Sequence, residues 1–546
     1  MKNKPYPLYD FPKLETLKEV IDFIADTYES DQAFRIPRKG NQGDKYKTFR
    51  EFHDEIRNFG TMLLQKGIKE EKIAILGENS YKWIVSYFAV TNTGNVAVPL
   101  DRELSYRELA DLVNRCGCKG VIFSKSFSDY ADYFKENCPS VETYISMKEI
   151  HTLKEDGAQL IAQGDTSFDD AKVTPDDLAA IVFTSGTTGK SKGVMLTHGN
   201  IAADAYSVCR YATGEGRGPL LLPLHHTFSI TANVLAALMY GGRIHAITSL
   251  RNIQRDMVND KTTAMIAVPT AVEMIHKKVW ATAESKGKAE IMKKGLRISS
   301  FFMKLGIDVR RKLFKEVYEG LGGEFDIIIC GGAPLSRKAE DDIIDWGIKL
   351  LCGYGITECA PIVSVNRPEH YKRGSCGLVI DCNQVRVYNK DDNGIGEIQV
   401  KGSNVFKGYF DDEEETANAF TEDGWFRTGD LGYVDEDGFL FITGRIKNLI
   451  ILSNGKNVSP EELEGKVIDA IDSIVEAVVF AKDDAIAIEM FLDTEKYPNA
   501  KEEIREQINA FNRQMPAYKK IQEIIIRDEE FPKTTTLKIK RKYDNK

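Results

Sequence analysis

Residues 179–194 read AAIVFTSGTTGKSKGV. An apolar run rich in β-branched residues ends in Thr184, Ser185, Gly186, Thr187, Thr188 and Gly189, with Lys190 and Lys192 directly after. Such a run reads as a strand buried on both faces, and the loop that closes it offers hydroxyls and glycine amides to an anion while the lysines add charge. Phosphate is the guest that chemistry suits. The loop is not a Walker loop, which needs four residues between its first glycine and the Gly-Lys pair, whereas Gly186 and Gly189 are separated by two.

Three similar runs lie outward from this one: IAILG at 73–77, IIICGG at 327–332 and LLCGYG at 350–355. The stretches between them carry helical periodicity, so the pattern is α/β, with a large N-terminal domain of mixed α/β sheets. Ligands of open α/β sheets gather at the carboxyl ends of strands, where glycine allows backbone to approach them, so three of these four loops are expected to surround one site. From about residue 385 the texture changes to short alternating segments such as EIQVKG and GFLFITG, broken by DDNG and EDG turns, which predicts an antiparallel β subdomain. The last hundred residues alternate short helices and strands. We therefore expect a large ligand-binding domain over 1–446 and a small α+β domain over 447–546.

Composition narrows the function class. Of the 546 residues, 42% are hydrophobic and 28% charged, as in ordinary globular chains. With 73 basic against 82 acidic side chains the net charge is −9, which argues against a nucleic-acid partner. Nine cysteines occur without the paired C-x2-C spacing of zinc sites, so reduced thiols are expected. The N-terminal stretch has no apolar run of secretory type, and no run of ~20 apolar residues occurs, so the expected location is the cytoplasm, with peripheral contact at the inner face of a membrane left open.

Further signatures follow the phosphate loop in order: LPLHHTFSI (222–230), GGAPL (331–335), GYGITE (353–358), GWFRTGDLG (424–432), GRIKNLI (444–450), SNGKNVSPEELE (453–464) and PKTTTLKIKR (532–541). Together they resemble the acyl-adenylate-forming superfamily, which includes acyl-CoA synthetases, peptide-synthetase adenylation domains and beetle luciferases. The TLKIKR-like ending and the segment 293–323 look most like long-chain fatty acyl-CoA synthetases.

The resemblance assigns roles residue by residue. Thr184 and Glu358 would hold magnesium, a pairing of hydroxyl and carboxylate oxygens that suits a hard cation. Tyr354 would stack on adenine, with Gly331, Gly332, Ala333, Gly355 and Thr357 lining the nucleotide pocket beside the residues of the phosphate loop. Asp430, a short carboxylate after glycine, can accept from a ribose diol, and Arg445 carries over as a second ribose contact. Lys447 matches the pivot of the C-terminal domain, His226 the position beside the acyl group and α-phosphate, and Gly455 the pantetheine channel. Lys533, Lys538, Lys540, Arg541 and Lys542 form what would ordinarily be a solvated basic tail, from which the resemblance selects Lys538 as catalytic. Leu537 stands where relatives usually have glycine.

The implied reaction is ATP- and magnesium-dependent adenylation of a carboxylic acid followed by transfer to CoA. An acyl-carrier protein is the alternative acceptor, and a nucleotide-binding regulatory relative the non-enzyme alternative. For the acid, a medium- or long-chain fatty acid is expected. Ile291, Ile298, Phe302 and Leu305 recur at helical spacing among Lys293, Lys294, Arg297 and Lys304. This amphipathic basic helix suits a membrane surface, although packing on its own domain is the commoner fate and the one expected.

Overall fold

The computed structural model describes residues 8–37, 43–184, 191–211, 216–246, 253–452, 456–482, 485–534 and 538–541. Its largest sheet has seven strands, in the spatial order Gly408–Tyr409, Lys192–Thr197, Leu178–Thr184, Val96–Pro99, Lys72–Leu76, Gly120–Phe123 and Thr143–Ser146. The five strands from Leu178–Thr184 onward in that order are parallel, joined by helices, whereas Lys192–Thr197 turns back antiparallel on its predecessor. The helix Tyr81–Thr91 is buried along almost its whole length. That placement fits its composition, since a helix apolar all round must be enclosed.

A second sheet of five strands holds Ala264–Ala267, Ile327–Cys330 and Lys349–Gly355 in parallel, then Ile362–Val365 and Leu378–Val379 antiparallel. In a third, four-stranded sheet Arg217–Leu220 pairs with Arg243–Ala246, which pairs in turn with Gln32–Ile36, and Lys45–Thr48 closes the other edge. The glycine-ended runs of the sequence therefore fall into different sheets. Gly77, which ends the first of them, packs under Ser124 and Met147 rather than in a ligand cavity.

The β subdomain is the antiparallel sheet Asn383–Tyr388, Gly396–Gly402, Phe426–Val434 and Leu440–Arg445. Beyond it the strands Ile474–Lys482, Ala485–Leu492 and Ile521–Arg527 pack with the helices Pro460–Ala470 and Ala500–Asn512 around a core of their own, from Ile450 to Ile521. Contacts from this unit to the preceding residues are polar: Ser336 Oγ donates to Asp469 at 2.9 Å and Lys338 pairs with Asp472 at 2.7 Å. All nine cysteines are free. Among the described residues no helix is long and apolar enough to cross a membrane.

One expectation is corrected. The helix Ala289–Lys304 does not bury the stripe of Ile291, Ile298 and Leu305, which are 66%, 46% and 60% exposed. It packs through Met292 and Ser299 instead, with Gly295 against Phe314. The reason is steric: Ser299 and Gly295 are small enough for the backbone to approach its neighbours, and Ser299 Oγ caps back onto Leu296 O at 3.0 Å.

Candidate active site

A cavity of about 990 Å³ opens where the carboxyl ends of the two large sheets meet the β subdomain and the C-terminal unit. Thr184, His226, Gly331, Gly332, Tyr354, Gly355, Thr357, Glu358, Arg445, Lys447 and Lys538 all line it. The structure thus brings together residues from six separate stretches of sequence. Ala333 is exposed and Asp430 lies just behind the wall. Ser185, Gly186, Thr187, Thr188, Gly189, Lys190 and Gly455 lie outside the described residues.

Local backbone explains the glycines. Gly332 has φ +95°, a conformation open to glycine, and a Cβ there would sit 3.9 Å from Lys538 Cε. A Cβ on Gly355 would lie 2.3 Å from Pro361 O, so the turn that carries Glu358 can close only on a residue without a side chain. That turn is tied down from below. Asp204, fully buried, accepts from Ile362 N at 3.2 Å and from Asn404 Nδ2 at 2.8 Å, and Asn383 donates to Ile362 O.

Glu358 is 8% exposed, and burial pushes its carboxyl above the usual carboxylate range against the opposing Tyr409 hydrogen bond. The Tyr409 hydroxyl donates to Glu358 Oε1 at 2.8 Å, while Lys192 lies 4.9 Å over the Tyr409 ring and pairs with Glu415. The carboxylate is thereby linked to the strand that follows the phosphate loop. One Glu358 oxygen is engaged by Tyr409 and the side chain faces the cavity wall that also holds Thr184. A buried carboxylate beside a hydroxyl is an oxygen donor set that fits magnesium, which takes few protein ligands and keeps waters and phosphate oxygens for the rest.

Asp430, Tyr354 and Arg445 form one unit. The Tyr354 hydroxyl donates to Asp430 Oδ2 at 2.5 Å, and Arg445 Nε lies 2.7 Å from Asp430 Oδ1. The pairing follows from strand register, since Asp430 stands directly opposite Arg445 across two antiparallel strands. Burial first, then the Asp430 charge, holds the Tyr354 hydroxyl well above its ordinary pKa. Each carboxylate oxygen has a further lone pair, so Asp430 can still accept from a diol while it fixes the tyrosine ring.

Lys533, Lys538 and Lys540 all line the cavity, and Lys538 is the one that reaches Gly332. Lys533 pairs with Glu476 at 2.6 Å, and Arg541 pairs with Glu464. Among the described residues Lys538 has no ion-pair partner, and it projects into the cavity from a short bridge that joins Lys533 to Ile539. The side chain keeps solvent access because the cavity is open, yet protein surrounds it on most sides. This enclosure lowers its pKa, burial first and Arg445 second, with Asp430 opposing. His226 accepts from Phe228 N through Nδ1 at 3.2 Å. Burial and then the Lys538 charge lower its pKa to about 3, so the imidazole is neutral at physiological pH.

Sequence reasoning missed Tyr409 and Asn233. The first sits in KGYF with only a glycine turn to mark it, and its partner is 51 residues away. Asn233 lies in the π-helical stretch Ser229–Ala236, lines the cavity and is 4% exposed, and among the described residues its Oδ1 has no hydrogen-bond partner. A π-helix inside an apolar helical run was the only signal, and it is not legible as such.

Comparison with known proteins agrees with this geometry. The family model described as AMP-binding enzyme matches residues 25–410, and that of the AMP-binding enzyme C-terminal domain matches 447–545. The chain is 30% identical over 509 residues to long-chain-fatty-acid–CoA ligase 5 of Rattus norvegicus, covering 85% of this chain and 73% of that one. It is also 30% identical over 446 residues to long-chain-fatty-acid–CoA ligase FadD15 of Mycobacterium bovis, covering 77% and 73%. In fold it resembles the anthranilate CoA ligase AuaEII solved with anthranoyl-AMP, with a TM-score of 0.79 at 20% identity over 97% of this chain and 96% of that one. The chain belongs to the AMP-binding enzyme family, the AMP-forming acyl-CoA synthetases, and is a ligase.

Proposed function

We propose that this ligase activates a medium- or long-chain fatty acid and transfers the acyl group to CoA. The observation that carries the reading is an apolar slot. The cavity continues from Gly331 down the strand Ile327–Cys330 to Asp326, a run of ~16 Å at the usual strand rise. Ala232, Ala236, Ile244, Ile266, Ile329 and Leu351 form its walls. Each methylene buried there contributes ~0.8 kcal/mol, so six more than a short acid offers contribute ~5 kcal/mol before ordering costs. The names of the rat and mycobacterial relatives agree with that substrate class.

In the first half-reaction a carboxylate oxygen of the acid attacks the α-phosphorus of ATP, the bond to the bridging oxygen breaks, and pyrophosphate leaves. The obstacle is charge, because an anion attacks an anion. The Lys538 ammonium, delivered opposite Gly332, neutralises charge on the attacking and transferring oxygens. Arg445 and Asp430 orient the ribose, and Tyr354 offers its face to adenine. Neutral His226 adds no positive field that would compete for the carboxylate. Magnesium, held by Glu358 and Thr184, would supply charge neutralisation on the phosphate oxygens.

In the second half-reaction the CoA sulfur attacks the acyl carbon and AMP departs. The thiol needs the space that Lys538 occupies, so the C-terminal unit must swing about Lys447 between the two steps.

The test is kcat/KM for acetate, octanoate, palmitate and an aromatic acid, each with CoA and with an acyl-carrier protein as acceptor. The reading expects octanoate or palmitate with CoA to lead. A tenfold advantage for acetate or the aromatic acid would remove the fatty-acid assignment, and preference for the carrier protein would remove CoA.

A further inference from the structure

The acid, ATP and CoA must all reach one cavity, and two of its sides are accounted for by the nucleotide residues around Tyr354 and by the apolar slot along Ile327–Cys330. A third side is polar. Asp101, Glu103, His225 and Lys540 form it, with Leu104 among them. Residues 101–104 follow the strand Val96–Pro99 of the seven-stranded sheet, whereas the slot runs along the five-stranded sheet, and Glu103 is exposed, so this side leads to solvent. Lys540 belongs to the C-terminal unit. On the proposed two-step scheme this side therefore opens when that unit carries Lys538 away, which is when the thiol must enter.

His225 is fixed on this wall. Asn79 accepts from Leu224 N at 3.0 Å and donates to Leu222 O at 2.8 Å, which holds the turn that carries the histidine. Asp101 accepts from Glu103 N through Oδ1 at 3.0 Å and brings Oδ2 to 3.6 Å from His225 Nε2. Among the described residues His225 Nδ1 has no hydrogen-bond partner. An imidazole with a carboxylate behind one nitrogen and the other nitrogen free is the arrangement of a general base. Burial lowers the His225 pKa; Asp101 opposes that fall, Arg102 adds to it and Glu103 opposes it, so the ring is neutral at physiological pH. The other charged and titratable groups on this side are His226, Lys538 and Lys540. His226, lowered to about 3, is too weak a base for a thiol proton.

We propose that His225 is the general base for the thiol in the second half-reaction, with Asp101 as its positioning residue. The inference rests on the proposed transfer to CoA. The S–H proton passes to His225 Nδ1 as the sulfur forms its bond to the acyl carbon. The C–O bond to AMP breaks, its electron pair leaves with the AMP phosphate, and the imidazolium then gives its proton to solvent. A base matters here because an ordinary thiol titrates near ~8.5 and only a few per cent of it is thiolate at neutrality.

The experiment uses the full-length protein with preformed octanoyl-adenylate and CoA, from about pH 5 to about pH 9, with pyrophosphate release measured alongside for the first half-reaction. His225→Gln and Asp101→Asn are compared with the parent, and an equal thermal midpoint verifies the fold. At about pH 6.5 His225→Gln should form thioester ~10²-fold more slowly than the parent, far beyond any loss in adenylation. The deficit should shrink to about threefold by about pH 9, where the thiol ionises without help. Asp101→Asn should move the acid limb of the profile to lower pH, because the Asp101 charge raises the His225 pKa, and a limb that stays in place would overturn the positioning role. A parent that forms thioester while His225→Gln matches it at about pH 6.5, or a deficit that is constant across the range, would overturn the base alone. Absence of thioester from the parent would instead overturn CoA as the acceptor, and the base with it.

Discussion

Replacing Tyr409 with phenylalanine removes one oxygen atom and leaves the ring. Phe406 still meets that ring edge-on at 4.9 Å and Lys192 still lies over its face, so no cavity opens and the thermal midpoint should hold within a few degrees. What is lost is the 2.8 Å hydrogen bond to Glu358 Oε1. A hydrogen bond to a charged group contributes ~1.5–3 kcal/mol net, and Glu358 is 8% exposed, so loss of the donor falls on a largely desolvated oxygen. If that bond fixes the carboxylate in the geometry magnesium-ATP requires, kcat/KM for ATP should fall by ~10- to 100-fold. The requirement for magnesium should rise in parallel, while KM for the acid changes little. The assay is pyrophosphate release at saturating acid, with ATP and magnesium varied independently. A variant within threefold of the parent in kcat/KM for ATP, with an unaltered magnesium curve, would refute the positioning role.

Three other outcomes are expected. Lys538→Ala should lower acyl-adenylate formation by ~10²- to 10³-fold yet spare thioester formation from preformed adenylate, measured as separate half-reactions; an equal loss in both would be inconsistent with a role confined to the first. Glu358→Gln should weaken use of magnesium-ATP far more than acid binding, tested by comparing KM values, and an unchanged magnesium dependence would remove the metal role. His226 titrates near 6.5 in the unfolded chain but near 3 in the fold, so the unfolded state binds more protons between those values and stability falls as pH drops from 6.5 towards 3. Its share of that slope is at most ~1.4 kcal/mol per pH unit, and urea titrations of His226→Asn across the window should show a shallower acid slope.

The architecture was readable because its determinants are local. Continuous apolar runs ended by glycine gave strands and ligand loops, and the change to alternating segments near residue 385 located the β subdomain. What could not be read depends on packing between distant stretches. Gly77 ends a run like the others, but its strand lies away from the cavity and the loop is filled by Ser124 and Met147. On the helix Ala289–Lys304 the sequence pattern marks the stripe of Ile291, Ile298 and Leu305, whereas the face that packs carries Met292, Ser299 and the small Gly295. Asp430 was legible as a short carboxylate in a turn, whereas its pairing with both Tyr354 and Arg445 is a property of strand register. Motif order selected Lys538 from five cations; in the folded chain Lys533 and Arg541 have acidic partners, and of Lys538 and Lys540, which both line the cavity, Lys538 is the one that reaches Gly332.

Those same acidic partners have a mechanical consequence. Glu464 and Glu476 belong to the C-terminal core, so the residues on either side of Lys538 are fastened to that core rather than to the nucleotide wall. The backbone that carries the ammonium cannot move away from the nucleotide wall independently of that core without breaking these anchors. On the proposed two-step scheme, charge delivery and domain position are coupled: a domain that leaves takes the positive field with it, and an arriving thiol would find the site discharged and vacated together. Rigid-body travel on the microsecond-to-millisecond scale would then set an upper limit on turnover, and mutations far from any ligand, at Ser336, Lys338 or Asp469, would act on its timing.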